Sequence, residues 1–194
     1  MTTLYFIRHA QPERSADSIY EDRTYPLSEK GLADRKLATN FLQDKGIDIV
    51  LSSPFKRAFD TVAEFAEKNA LEIEVIEDFR ERKIADKWIG DDIWKTFSKN
   101  QWDDFSYKLT DGESITETQQ RNIAALQDVL VRYVGKTIAI GTHGTALSSI
   151  IHFYDNSYGY DDFVTMQYLM PWAVKMVFDG DKCIEITKID LFQL

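Results

Sequence analysis

Four apolar residues, Leu4-Tyr5-Phe6-Ile7, run without interruption into Arg8-His9. A run this short and this apolar, with no polar residue alternating, predicts a strand buried on both faces, as in the middle of a parallel sheet. Parallel neighbours need crossover connections, normally helices on the two faces of the sheet, and that removes most other architectures. The same expectation gives the dipeptide a meaning, because ligands of open α/β sheets sit just beyond the carboxyl ends of the strands. Arginine brings a permanently charged planar fork suited to phosphate. Histidine brings a ring nitrogen that can act as a nucleophile near neutral pH.

The rest of the chain alternates in the required way. Gln11 to Pro26 is polar and reads as a loop. Ser28 caps a helix from about Glu29, with Leu37, Ala38, Phe41 and Leu42 on its apolar face and Gly46 beyond its end. Asp48 to Leu51 is a second buried strand, ended by Ser52-Ser53-Pro54. Ser53 as cap and Pro54 in the first turn predict a helix carrying Phe55, Ala58, Phe59, Val62, Phe65 and Ala66 inward, with Arg57 off that stripe. Glu72 to Ile76 is a third strand, followed by a charged connection, Asp78 to Arg82. From Lys83 to Asp111 no single period holds: Trp88, Trp94, Phe97, Trp102, Phe105 and Tyr107 are interleaved with charge. One or two short helices packed over the sheet ends as a cap are expected there. Ser114 and Glu117 have capping-box spacing before a long helix, about 115–134, closed by Gly135. Thr137 to Ile140 is a fourth strand, ended by Gly141-Thr142-His143-Gly144, and a helix follows to about Phe153. Tyr154 to Asp162 reads as a loop, and 173–178 with 184–189 as a terminal hairpin across Asp179-Gly180-Asp181.

The expected fold is therefore α/β, a three-layer sandwich with a largely parallel central sheet, helices on both faces and a small cap insertion. Its 194 residues form one domain, 1–194, with the cap at 83–111 inside it. Formal charge of −9 argues against nucleic acid or an anionic membrane surface as main partner, yet leaves room for a local cluster of arginines. Cys183 is the one cysteine, a packing thiol in a strand, so neither a disulfide framework nor a thiolate metal cage is expected. The first strand begins within three residues of Met1 and no run approaches membrane-spanning length, which predicts a cytoplasmic protein. Oligomeric state is not legible.

Three strand ends thus deliver polar chemistry to one edge: Arg8-His9, Ser53 with Arg57, and Thr142-His143. Two helices begin beside them and add free N–H groups and a positive dipole end, which together suit a phosphate dianion. No His/Asp/Glu cluster has metal-ligand spacing, and Gly141 to Gly144 lacks the Lys-Ser/Thr ending of a P-loop, so no metal or other cofactor is expected.

These stretches, with Ser52-Ser53-Pro54-Phe-Lys-Arg57-Ala58, Arg80-Glu81 and Gly112-Glu113-Ser114, resemble the histidine phosphatase superfamily, most closely its phosphoglycerate-mutase-like branch. The resemblance implies a phosphohistidine mechanism: His9 as nucleophile, Arg8, Arg57 and His143 on the non-bridging oxygens, and Glu81 as the acid protonating the leaving alkoxide. Phosphoryl transfer needs positioning and charge stabilisation above all, which these residue types supply. Neighbouring arginines disfavour an imidazolium at His9, and a bound phosphate dianion favours the protonated form of Glu81. Glu113 is a candidate brace for the pocket arginines. Ser114 has a complete explanation as a cap, and His152 reads as a satisfied core or rim histidine.

The pattern departs from the family at Ala10, where glycine is usual, and at Ser15, where many members carry asparagine. After Glu81, Arg82-Lys83-Ile84-Ala85 replaces the stretch with which mutases grip a phosphoglycerate carboxylate. The expected activity is metal-independent hydrolysis of a small phosphorylated metabolite. Mutase-type transfer and a low-turnover phospho-ligand-binding module are the alternatives.

Overall fold

The computed structural model describes residues 1–13, 22–86 and 89–194; Ser15 and Trp88 lie outside them. Strand β1 (Thr2–Arg8) lies inside a six-stranded sheet whose other strands are β2 (Ile49–Ser52), β3 (Ile73–Val75), β4 (Thr137–Thr142), β5 (Trp172–Asp179) and β6 (Lys182–Ile189). Their order is β3-β2-β4-β1-β5-β6, with the first four parallel and the terminal hairpin antiparallel. Because strand side chains alternate, Leu4 and Phe6 enter one core and Tyr5 and Ile7 the other.

Two helices, α1 (Glu29–Gln43) and α2 (Lys56–Lys68), cover the Tyr5/Ile7 face, through Ala38, Leu42, Val62 and Phe65. On the opposite face, α4 (Ile115–Arg132), α5 (Gly144–Tyr154) and α6 (Tyr160–Met166) bury Leu126, Leu147, Ile150 and Phe163 against Leu4, Phe6, Ile138 and Ile140. The expected three layers are present. The caps at Ser28 and Ser114 form as their spacing predicts; Ser28 Oγ accepts from Gly31 N–H at 3.0 Å, and Ser114 and Glu117 make a reciprocal box.

Three expectations need correction. Helix α2 starts at Lys56, not beside Ser53, and Phe55 stands at its cap position; the serine is occupied elsewhere. β4 runs on through Gly141 and Thr142, so the fourth strand is longer than its apolar run. The expected one or two helices of 83–111 resolve, among the described residues, to one, α3 (Asp91–Asp103). Its inward side includes Ser98 and Gln101 beside Phe97 and Trp102, and those buried polar residues hid the period. The stretch 154–162 is not all loop, because α6 begins at Tyr160. Asp162 accepts from Gly159 N–H at 3.1 Å, and Phe163 and Met166 are buried, too few apolar positions to show a period.

Register sets the working edge. Arg8 is level with Thr142, and Ser52 with Gly141. Beyond the strands, His9 N–H donates to Thr142 O at 3.0 Å and Ser53 N–H to Gly141 O at 2.9 Å. All three chain segments therefore leave the sheet side by side. Helix α2 passes so close to β4 that a Cβ on Gly141 would lie 2.8 Å from Ala58 O and 2.9 Å from Ser52 Oγ. Gly141→Ala should therefore destabilise by about 1–3 kcal/mol through overpacking, seen as a melting temperature several degrees lower by circular dichroism. An unchanged melting temperature would contradict this contact.

Candidate active site

His9 is almost fully buried, and its two ring nitrogens have partners of opposite kind. Nδ1 lies 2.8 Å from Ala10 O, and Nε2 lies 3.3 Å from Arg57 Nε. A carbonyl can only accept and a guanidinium N–H can only donate. The pair therefore selects the tautomer with hydrogen on Nδ1 and the lone pair on Nε2, where it accepts from Arg57. The local chain is braced to hold this pose. Ala10 N–H donates to Thr61 Oγ1 at 3.0 Å, and Thr61 Oγ1 donates to Arg57 O at 2.7 Å, so His9 and Arg57 are tied by backbone as well as by side chain.

Arg57, on the first turn of α2, is 0% exposed. Its Nη1 donates to Asp22 O at 2.5 Å and stands 3.0 Å from Asp22 Oδ1, while its guanidinium lies 4.9 Å from the centre of the Phe55 ring. His143 closes the cluster. Its ring centre is 5.3 Å from that of His9 and 5.1 Å from that of Phe55, both edge-on, and its Nε2 is 2.6 Å from Ser53 Oγ. Ser53 Oγ also accepts from Phe55 N–H at 3.2 Å. That pair of contacts is why the serine does not cap α2. It belongs to the site, and the reading of Ser53 as a helix cap missed this. Arg8 donates through Nη1 to Met166 O at 2.5 Å and Leu169 O at 3.0 Å, while its Nε and Nη2 lie beside Gly144, next to His143. Two guanidinium groups and two imidazoles are thus buried at one sheet edge of an acidic chain. Burying cations is unfavourable unless acceptors or an anion meet them.

Glu81 is brought to the same place by an unexpected route. Its Oε2 accepts from Thr145 N–H, and its Oε1 from Ala146 N–H, both at 3.0 Å, with Arg82 N–H a further donor at 2.8 Å. The start of α5 is therefore filled by this carboxylate. The expectation of open N–H groups awaiting a phosphate does not hold for Thr145 and Ala146. Glu113 does brace arginines, but they are Arg80 and Arg121, not Arg8 and Arg57. Burial pushes the Glu113 carboxyl up; hydrogen bonds from Arg121 and the Lys83 N–H outweigh that and hold it below the usual carboxylate range. Its contribution to stability is thus present above ordinary carboxylate values and is lost as pH falls through the depressed folded value.

Arg82, next to Glu81, is buried against Gln101 Oε1 and the Phe97 ring, and burial lowers its pKa. His152 is half-buried, with Nδ1 2.8 Å from Tyr158 O, a satisfied histidine as expected. Among the described residues no three His, Cys, Asp or Glu side chains gather as a metal site, and no helix is long and apolar enough to cross a membrane. The sequence places Ser53 at this edge but accounts for it as a cap, and it carries no signal for Thr61, Asp22 or Arg121. Only the Ser-Ser-Pro-x-x-Arg spacing could have pointed to Ser53; the others depend on which elements pack together.

Comparison with known proteins agrees with this geometry. The family model described as "Histidine phosphatase superfamily (branch 1)" matches residues 4–167, and the chain belongs to that superfamily. Phosphoserine phosphatase 1 of Hydrogenobacter thermophilus is 29% identical over 152 residues, covering 74% of this chain and 71% of its own. Mycobacterial relatives are also 29% identical, and the chain spans 43% of their length. Among solved structures, Bacillus stearothermophilus YhfR superposes with a TM-score of 0.78 at 23% identity, over 95% of each chain. A mutant phosphoserine phosphatase of Entamoeba histolytica, in complex with phosphoserine, gives 0.77 at 22% identity over 98% and 97% of the two chains. These two likenesses establish the fold.

Because the Glu81 carboxylate caps α5, its removal should be felt in stability. Glu81→Ala should lower the unfolding free energy by about 1–2 kcal/mol, the usual scale for losing a side-chain cap, and Glu81→Gln, which keeps an acceptor oxygen, by less. Urea unfolding midpoints measure this, and a wild-type midpoint for Glu81→Ala would contradict the capping contact.

Proposed function

We propose that this protein is a metal-independent phosphomonoesterase that hydrolyses a small phosphorylated metabolite through a phosphohistidine on His9 Nε2. The observation that carries this reading is the pair of partners on the His9 ring, which leaves the lone pair on the nitrogen that faces Arg57. In the first step the Arg57 Nε–H passes from His9 Nε2 to a phosphoryl oxygen, the freed lone pair on Nε2 attacks phosphorus, and the bond to the leaving oxygen breaks. Arg8, Arg57 and His143 hold the non-bridging oxygens, and Glu81 gives a proton to the departing alkoxide. The Nδ1–H bond to Ala10 O supports the positive charge that the phosphorylated ring acquires. In the second step water attacks the phosphoryl group, Glu81 takes its proton, the P–N bond breaks and phosphate leaves.

Several features favour a phosphatase over a mutase. Arg82, in the stretch with which mutases grip their substrate, is turned inward against Gln101 and Phe97. The relative from Hydrogenobacter and the neighbour from Entamoeba are named as phosphatases, and the latter holds phosphoserine, a small phosphomonoester. Retention of His9, His143 and Glu81 favours turnover over binding alone. Residues 83–111 serve as a cap within a single domain, supported by the stacking of Trp94 on Phe163 and the packing of Trp102 against Phe105, Tyr158 and Phe163. A reducing cytoplasm suits a chain with one cysteine.

The test is phosphate release from a panel of phosphorylated metabolites. Wild type should turn over at least one, unaffected by a chelator and inhibited by vanadate, which mimics the five-coordinate transferring group. His9→Ala should lose activity by a factor of roughly 10³ or more. Appreciable turnover by His9→Ala, or chelator-sensitive activity restored by a divalent metal, would overturn the reading.

A further inference from the structure

Glu81 is carried on a stretch with no regular structure: it follows a short turn, Glu77–Phe79, and precedes α3 by ten residues. A group that transfers a proton must be held to within about half an ångström, and helices and strands do that better than loops. Something else must fix this segment, and Arg121 on α4 is positioned to do so. Its Nη1 donates to Asp78 O at 2.9 Å and Arg80 O at 2.8 Å, and its Nη2 to Glu81 O at 3.1 Å. The remaining donors go to Glu113, Nε to Oε1 and Nη2 to Oε2, both at 2.9 Å. All five N–H groups of the guanidinium are used, three of them on the backbone that carries Glu81.

Glu113 completes the grip from the other side. It accepts from Arg80 Nη2 at 3.2 Å and from Lys83 N–H at 2.9 Å, so residues on both flanks of Glu81 are tied to one ion pair. Glu113 reaches the segment because its own N–H donates to Lys83 O at 2.7 Å, an approach that only a glycine at 112 permits: a Cβ there would lie 2.1 Å from Ile84 O. The pair is about four-fifths or more buried, with 11% and 19% of the two side chains exposed, so solvent screens it little. Deep burial alone would serve packing. Donors converging on the three carbonyls of Asp78, Arg80 and Glu81, beside the Glu81 carboxylate, do more than that.

We propose that Arg121 and Glu113 form a clamp that positions Glu81 for proton transfer, making both of them positioning residues of the reaction. The inference rests on the acid role given to Glu81 above. It predicts a signature that general structural support does not produce. An alkyl alcohol leaves as a strongly basic alkoxide and depends on the acid, whereas p-nitrophenolate is stable without a proton. Misplacing Glu81 should therefore be costly for the first substrate and mild for the second.

The experiment compares kcat on phosphoserine or β-glycerophosphate, whichever wild type turns over, with kcat on p-nitrophenyl phosphate. The variants are Glu81→Gln, Arg121→Gln, Arg121→Lys and Glu113→Gln, each checked for wild-type circular dichroism at the assay temperature. Glu81→Gln should lose roughly 10²- to 10⁴-fold on the alkyl ester and far less on the aryl ester. Arg121→Gln should show the same selectivity with a loss of roughly 10²-fold, the scale for an ångström-sized misplacement. Arg121→Lys should not rescue it, since three donors on one flexible point cannot reach three carbonyls and a carboxylate. Glu113→Gln, which keeps the shape of the carboxylate, should lose less with the same selectivity and stands in if the Arg121 variants do not fold. If Glu81→Gln loses equally on both esters, the acid role is wrong and the clamp proposal falls with it. If Glu81→Gln is selective but the folded Arg121 and Glu113 variants lose equally on both esters, or lose nothing, the clamp proposal alone is overturned.

Discussion

The contact between Arg57 Nε and His9 Nε2 is the constraint around which the rest of the molecule is arranged. It brings a permanently charged group, fully buried, against a ring nitrogen that accepts from it. Nothing in the dipeptide Arg8-His9 secures that. It needs β1 level with β4, α2 pressed onto β4 over the bare backbone of Gly141, and Thr61 linking the two residues by their main chains. It also needs acceptors for the cation, which Asp22 supplies through both its carbonyl and its carboxylate. A small shift of α2 would separate His9 from Arg57, the two residues that the proposed mechanism places on either side of the phosphoryl group.

The other half of the chemistry is organised differently. His9, Arg57 and His143 sit at or just beyond the ends of strands or on the first turn of a helix, where regular structure fixes direction. Glu81 has no such frame. Its side chain is held by the N-terminus of α5, and its main chain by Arg121. The proposed phosphoryl-holding cluster is thus a product of the sheet, whereas the position of Glu81, the proposed acid, is a product of side-chain hydrogen bonding between distant segments. Substitutions far from the pocket should separate the two accordingly: those in the sheet affect every substrate, and those in the clamp affect substrates with poor leaving groups.

What the sequence made legible follows the same division. Buried parallel strands announce themselves as apolar runs, so β1, β2 and β4 and the helices between them were readable, and with them the placing of Arg8, His9, Arg57 and His143 at one sheet edge. The Ser28 and Ser114 caps were readable because a cap is local. Ser53 was misassigned since a serine before proline has a sufficient local use, and its bond to His143 spans 90 residues. Helix α3 was obscured by buried Ser98 and Gln101, which break an apolar period, and α6 was too short to show one. Arg121 lies on a helix whose polar positions all look alike from the sequence. Only the packing of α4 against the turn at Glu77–Phe79 distinguishes it.

The central claim is that Nε2 of His9, and no other atom, receives the phosphoryl group. Rapid mixing with a phosphorus-labelled substrate, quenching in alkali to preserve phosphoramidates, and mapping the labelled peptide would test it directly. The account predicts a single phosphorylated residue, His9, with phosphorus NMR of the digest giving the Nε2 isomer. A phosphoryl group on Nδ1, on another residue, or on no residue during demonstrated turnover would contradict it.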